Sequence, residues 1–176
     1  MLKTYKILVS GQVQGVGFRP FVYNLASKLA LQGTVSNNEE GVIIYISGES
    51  QIIKQFYNSL INNPPPVSRI NSSSINEVKF QEFVGFKILS SSKEGQVNLP
   101  LTPDFAICED CQKELIDNIN RRHSYAFTTC VNCGPRWSIT RTFPFERIHT
   151  SIDDFPMCKS CFDEYTNPSN RRFHSQ

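Results

Sequence analysis

All six cysteines of the chain fall in C-x-x-C pairs, and all three pairs lie in its second part: Cys108/Cys111, Cys130/Cys133 and Cys158/Cys161. A C-x-x-C step folds a tight knuckle that presents two thiolates to one metal ion, and two knuckles make a tetrahedral four-cysteine site. The N-terminus, MLKTYKILVSGQ, turns polar after a few apolar residues and is not a secretory leader. The expected compartment is the cytoplasm, where reducing conditions favour metal-binding or redox pairs over structural disulfides. The spacing runs C-x2-C, 18 residues, C-x2-C, 24 residues, C-x2-C. The shorter gap is in the range used by zinc, so Cys108, Cys111, Cys130 and Cys133 are expected to hold one structural Zn2+. A redox C-x-x-C and an iron–sulfur centre are the alternatives, though no proline or aromatic residue decorates the pairs in the thioredoxin manner. Spacing alone leaves open whether the knuckles pair consecutively or interleave.

A repeat with an offset of 50 residues runs through the same segment. Cys108-Glu-Asp-Cys111-Gln-Lys-Glu114 aligns with Cys158-Lys-Ser-Cys161-Phe-Asp-Glu164, and Asn120-Arg121-Arg122 aligns with Asn170-Arg171-Arg172. The first unit, 108–133, is complete. The same offset puts the partner knuckle of the second unit at positions 180 and 183, past Gln176. The second unit, from 158, therefore reads as truncated, with Cys158 and Cys161 as half a site. One tightly bound zinc and a second held weakly or not at all are expected. The paired arginines read as solvated basic turns, with a phosphate-binding or partner-binding surface as the alternative. The histidines 123, 149 and 174 are scattered, and each is a weak candidate for a substitute ligand.

The first 103 residues contain no cysteine and carry nine Lys/Arg against six Asp/Glu; the remainder carries nine against ten. A net charge of +2 over 176 residues, with acids interleaved among the bases, argues against nucleic acid. No apolar run approaches the ~18–20 residues of a membrane span. Tyr5, Ile7 and Val9 alternate as in a strand. Gly11-Gln-Val-Gln-Gly15-Val-Gly17-Phe-Arg19 follows, with Pro20 expected at the first helical position. Phe21, Val22, Leu25, Ala26 and Leu29 recur at helical spacing, with Gly33 expected as the stop. Residues 34–37 and 42–46 read as strands joined by a turn over 37–41. Ile52, Ile53, Phe56 and Leu60 mark a second helix, ended near Pro64-Pro65-Pro66. Residues 75–80 and 83–89 read as one or two further strands. The order is β-α-β-β-α-β, the ferredoxin-like α+β arrangement, over residues 1–92. A linker is expected over 93–103 and a zinc-finger module over 104–176.

Two glycines in the loop after the first strand let the backbone turn its N–H groups inward, a nest that holds an anion at a helix N-terminus. Arg19 adds a planar fork for two phosphate oxygens. From the residues alone, a glycine-rich strand-to-helix turn with a surface arginine is an equal reading. The wording from Gly11 to Arg19 resembles the first signature of the acylphosphatase family, and Gly33-Thr-Val-Ser-Asn37 followed by Gly41-Val42 resembles the second. Thr34 departs from the family, many members of which carry tryptophan there. The resemblance implies a phosphate cradle from Gln14, Gly15, Val16, Gly17 and Phe18, with Arg19 gripping the phosphoryl group. It also implies that the side-chain amide of Asn37 orients the attacking water.

An acylphosphatase-like domain followed by these cysteine units resembles the N-terminal part of the carbamoyltransferases that mature NiFe hydrogenases. Cys130-Val-Asn-Cys133-Gly-Pro-Arg136 carries that family's finger wording. The resemblance implies a hydrolase acting on carbamoyl phosphate. In that family ATP is used by domains further along, which lie outside this chain. The carbamoyl group passes from there to the C-terminal cysteine of a hydrogenase maturation partner. A general acylphosphatase and a non-catalytic zinc-binding interaction module are the alternative functions.

Overall fold

The computed structural model describes residues 2–38, 40–89, 103–142 and 147–175. The linker expected over 93–103 lies outside them except for residue 103. The chain divides into two compact units, Met1–Leu101 and Thr102–Gln176. Among the described residues no helix is long and apolar enough to cross a membrane.

In the first unit the strands and helices run β1 (Leu2–Gln12), α1 (Phe18–Lys28), β2 (Gln32–Asn38), β3 (Gly41–Glu49), α2 (Ser50–Asn62), β4 (Arg69–Val78) and β5 (Phe86–Ile88). One sheet has the order β4-β1-β3-β2-β5. Its pairs are antiparallel except β2 with β5. This is the ferredoxin-like order with a short parallel strand added at one edge. The period-2 alternation of β1 and β3 puts Ile7, Val9, Ile44 and Ile46 on one face, where they share a core with Val35 of β2. Val22 and Ala26 of α1, and Ile53, Phe56 and Leu60 of α2, complete that core at helical spacing. Phe56 is fully buried. Phe56→Ala is expected to destabilise this unit by about 3–5 kcal/mol, read from denaturant unfolding of the first unit.

Four expectations need correction. Pro20 is the third residue of α1, not the first, and Gly17 caps the helix in the left-handed region. Gly33 does not stop the helix. α1 ends at Lys28, and Ala30 (φ 51°) takes the left-handed turn, with the Leu31 N–H donating to the Ala26 carbonyl at 2.9 Å. Gly33 is instead needed inside β2, where a Cβ would lie 2.0 Å from the Tyr45 carbonyl oxygen. The β2–β3 turn is tighter than expected, because the pairing continues past Asn37, which lies opposite Val42 in the strand as expected, to Asn38 and Gly41. Finally, β4 starts at Arg69 rather than residue 75. Its serine-rich half has no strand signal of its own, but the backbone of β1 supplies partners as far as Gln12.

The second unit is built on the repeat. Helix α3 (Glu109–Ile116) is capped by Cys108 and helix α4 (Lys159–Thr166) by Cys158, with nearly identical cap geometry. After each helix an Asx turn closes: the Ile119 N–H donates to Asp117 Oδ1 and the Ser169 N–H to Asn167 Oδ1. The Arg122 N–H then bonds Asn120 Oδ1, and the Arg172 N–H bonds Asn170 Oδ1, both at 2.9 Å. Ser124 and His174, at the same offset, both take positive φ and donate to Leu115 and Tyr165 carbonyls. Between the repeats lie one-turn 3-10 helices at Trp137–Ile139 and Arg147–His149, joined by a bridge between Thr140 and Thr150.

Candidate phosphate site and metal centre

β1 shifts register against β4 between Ser10 and Gly11, and the glycine-rich loop runs from its end at Gln12 into α1. Val13, Val16 and Phe18 are buried and anchor the loop in the core. Val16 and Phe18 therefore offer a ligand their backbone rather than their side chains. Between these anchors Gly15 and Gly17 adopt φ of 71° and 73°. Successive residues of this kind turn backbone N–H groups toward one side. The first turn of α1 carries no acidic side chain to compete for its N–H groups. Arg19 is the second residue of that helix.

The second half of this corner is the β2–β3 hairpin. Asn37 is 8% exposed, and its Oδ1 is buried without a protein hydrogen-bond partner among the described residues. The loop and the hairpin are tied together by Gln14. Its Nε2 donates to the carbonyl oxygens of Asn38 at 2.9 Å and Gly41 at 2.7 Å. Sequence reasoning assigned Gln14 to the loop but not this side-chain role. The arrangement can hold an anion against backbone N–H groups and an arginine, with an amide side chain held at a fixed register beside it.

In the second unit the sulfur atoms of Cys108, Cys111, Cys130 and Cys133 lie within 4.8 Å of one another. The knuckles therefore pair consecutively. Sγ–Sγ distances are 3.6 Å for Cys108–Cys130, 3.8 Å for Cys130–Cys133 and 3.8 Å for Cys133–Cys111. A tetrahedral ion with metal–sulfur bonds of about 2.3 Å sets its thiolates about 3.8 Å apart. The donor set and its edges fit a zinc ion, and all six thiols are unbridged.

Cys158 and Cys161 stand apart, with no third cysteine, histidine or carboxylate brought to them among the described residues. His174 stacks against Phe173 and Tyr165 instead. Backbone and side-chain hydrogen bonds from Cys161, with Arg121 nearby, hold Cys158 below the ordinary thiol range. The pair borders a cavity of about 360 Å³ that Phe127, Phe155 and Met157 also line.

The arginine pairs are not solvated turns. Arg172 is 4% exposed. Arg171 and Arg172 both pair with Glu114, and Arg121 and Arg122 both pair with Glu164. Each repeat thus salt-bridges the other. Burial works against the Glu114 carboxylate, but Arg172 and Arg171 outweigh it and hold the group below the usual carboxylate range. Arg136, which follows the second knuckle, donates to Cys133 Sγ at 3.4 Å and to the Phe105 carbonyl at 3.1 Å. The signal for these contacts was present in the repeat, where glutamates 114 and 164 align as the arginines do.

Comparison with known proteins agrees with both halves. The acylphosphatase family model matches residues 5–88, and the HypF finger model matches 107–140 and 157–176. A carbamoyltransferase HypF of Rhodobacter capsulatus is 41% identical over 99% of this chain and 23% of its own length. An acylphosphatase of Pseudothermotoga lettingae is 36% identical over 47% of this chain and 93% of its own. The crystal structure of a full-length HypF in its phosphate- and nucleotide-bound form is 44% identical. It superposes with a TM-score of 0.88, covering 100% of this chain and 23% of that one. The chain thus spans about a quarter of the length of the HypF proteins it matches.

Proposed function

Because the chain joins an acylphosphatase-family domain to a HypF finger and so belongs with the HypF carbamoyltransferases, we propose that its first unit hydrolyses carbamoyl phosphate. The phosphoryl group sits on the loop of residues 14–18, with Arg19 gripping two of its oxygens. Asn37 holds a water in line with the scissile P–O bond. Water oxygen attacks phosphorus, the P–O bond to the carbamoyl carbon's oxygen breaks, and carbamate leaves as its anion. The water's proton departs with inorganic phosphate. Catalysis on this reading is positioning plus stabilisation of charge on the equatorial oxygens.

The observation that carries the reading is the double hydrogen bond of Gln14 to Asn38 and Gly41. It fixes the loop against the strand end that bears Asn37, so the anion cradle and the amide share one corner. In a protein of the relatives' length, the carbamate made here would pass to an ATP-using domain and then to the C-terminal cysteine of a hydrogenase maturation partner. For the second unit we assign Zn2+ as a structural ion at Cys108, Cys111, Cys130 and Cys133, with Cys158 and Cys161 as half of a second site.

The test is phosphate release from carbamoyl phosphate, with acetyl phosphate as comparator. Asn37→Ala is expected to lower turnover by about a hundredfold while competitive inhibition by inorganic phosphate, which reads binding to the loop, is little changed. Turnover in Asn37→Ala equal to wild type would remove the water-orienting role. Equal rates on both substrates would favour a general acylphosphatase.

A further inference from the structure

The two repeats do more than sit side by side, because each sends its Asn-Arg-Arg arm to the cysteine helix of the other. We propose that Arg171, in the repeat that begins at Cys158, is a positioning residue for the metal centre of the first repeat. The proposal rests on the metal assignment above. It goes beyond it by making the complete site depend on a side chain 60 residues away that is no ligand.

The geometry is specific. Arg171 Nη1 donates to Cys111 Sγ at 3.3 Å, and its Nη2 pairs with Glu114, one turn further along the same helix. The fork thus spans a ligand and an anchor on α3. The Arg171 carbonyl oxygen accepts the N–H of Val131 at 2.9 Å, inside the second knuckle of the site. Arg172 extends the same hold, pairing with Glu114 and donating to the Thr129 carbonyl just before Cys130. One short arm therefore grips both knuckles of the first site, one from the helix side and one from the chain before Cys130.

Charge gives the contact its force. Four thiolates around a divalent zinc leave a net charge of −2, held in a largely buried cluster. Arg171 on Cys111 and Arg136 on Cys133 place two guanidinium groups against it. Partners of this kind, one shell out from the ligands, fix ligand orientation and commonly change metal affinity by about 10–100-fold when removed. The mirror-image contact, Arg121 Nη1 to Cys161 Sγ at 3.3 Å, lies at the half site and touches none of the four ligands. It supplies an internal control.

The experiment follows zinc transfer from the loaded chain to the chromogenic chelator 4-(2-pyridylazo)resorcinol, for wild type, Arg171→Gln, Arg171→Lys and Arg121→Gln. Arg171→Gln is expected to release its tight zinc about tenfold faster. Arg171→Lys, which keeps a charge without the fork, is expected to fall between them, and Arg121→Gln is expected to match wild type. Cobalt substitution adds a readout that a merely structural role would not move. Loss of the N–H···S bond is expected to shift the thiolate-to-cobalt charge-transfer band to lower energy in Arg171→Gln but not in Arg121→Gln. If Arg171→Gln does not fold, the lysine variant carries both measurements. A wild-type chain that binds one zinc, with release rates and cobalt bands unchanged in the Arg171 variants, overturns the clasp alone. A wild-type chain that binds no zinc overturns the metal assignment and the clasp with it.

Discussion

Arg19→Ala is expected to lower phosphate release from carbamoyl phosphate by about a thousandfold, with the fold of the first unit intact. Arg19 is the second residue of α1, beyond the left-handed cap at Gly17, so its side chain starts where the helix N–H groups converge. Those N–H groups carry partial charges only, whereas Arg19 brings a full positive charge in a planar fork. On the proposed function, binding the substrate would use both, and stabilising the extra charge that spreads over the equatorial oxygens as the P–O bond lengthens would depend mostly on the guanidinium. Both the Michaelis constant and turnover should therefore change, with turnover changing more. Arg19→Lys should recover only part of the loss, because an ammonium cannot bond two oxygens in one plane. The variant's thermal unfolding should stay near wild type, since the loop is anchored by Val13, Val16 and Phe18. Release by Arg19→Ala within a few-fold of wild type, on a folded chain, would place the phosphoryl group elsewhere.

The pattern that made Arg19 a candidate was legible because it is local. A strand, a glycine-rich step and an amphipathic helix follow one another within residues 2–28, and the sequence period changes from 2 to 3.6 between them. The succession of strands and helices along the first unit came from the same local signals. What was not legible depends on contacts between distant segments. Gly33 looks like a helix stop until β3 is placed beside it, when the Tyr45 carbonyl oxygen leaves no room for a Cβ. The serine-rich start of β4 carries no strand signal and pairs only because β1 is there. Gln14 reads as one polar residue of a loop, and its latch on Asn38 and Gly41 needs the hairpin to close first.

The finger shows the same division. Its repeat was readable residue by residue, from the cysteine knuckles to the Asn-Arg-Arg arms. The destination of the arginines was not, because a repeat states which residues are equivalent and not whether they serve their own copy or the other. Here Arg121, Arg171 and Arg172 reach the other copy while Arg122 reaches both, and Arg172 is buried in that exchange.

Removing the metal is expected to unfold the second unit and leave the first folded and active. The buried cluster at the centre of the second unit consists of Cys111, Cys130 and Cys133, with Ile107 and Cys108 packed against it. Beyond it only Ile139, Ile152 and Phe173 are buried apolar side chains in that unit among the described residues. So little apolar surface does not offset the conformational entropy of ordering a unit of this size. A structural zinc contributes about 10–16 kcal/mol of apparent binding free energy at neutral pH, so the folded state depends on it. The first unit has its own core around Phe18, Ile44 and Phe56 and no cysteine in it. Chelation, or Cys133→Ser, should therefore abolish the amide dispersion of the finger in NMR spectra while carbamoyl phosphate hydrolysis continues. Metal analysis should give one tightly bound zinc per chain, because Cys158 and Cys161 bring two thiols where four are needed. Two tight zincs on a monomer would mean that the second pair finds ligands beyond those four cysteines. A finger that keeps its dispersion after the metal is gone would mean that the arginine–glutamate exchange between the repeats holds the unit by itself. That outcome runs against the modest worth of partly exposed ion pairs, about 1 kcal/mol or less each. On the proposed reading, the pairs of Arg171 and Arg172 with Glu114 would orient the metal site, and the metal would supply the free energy that keeps them in place.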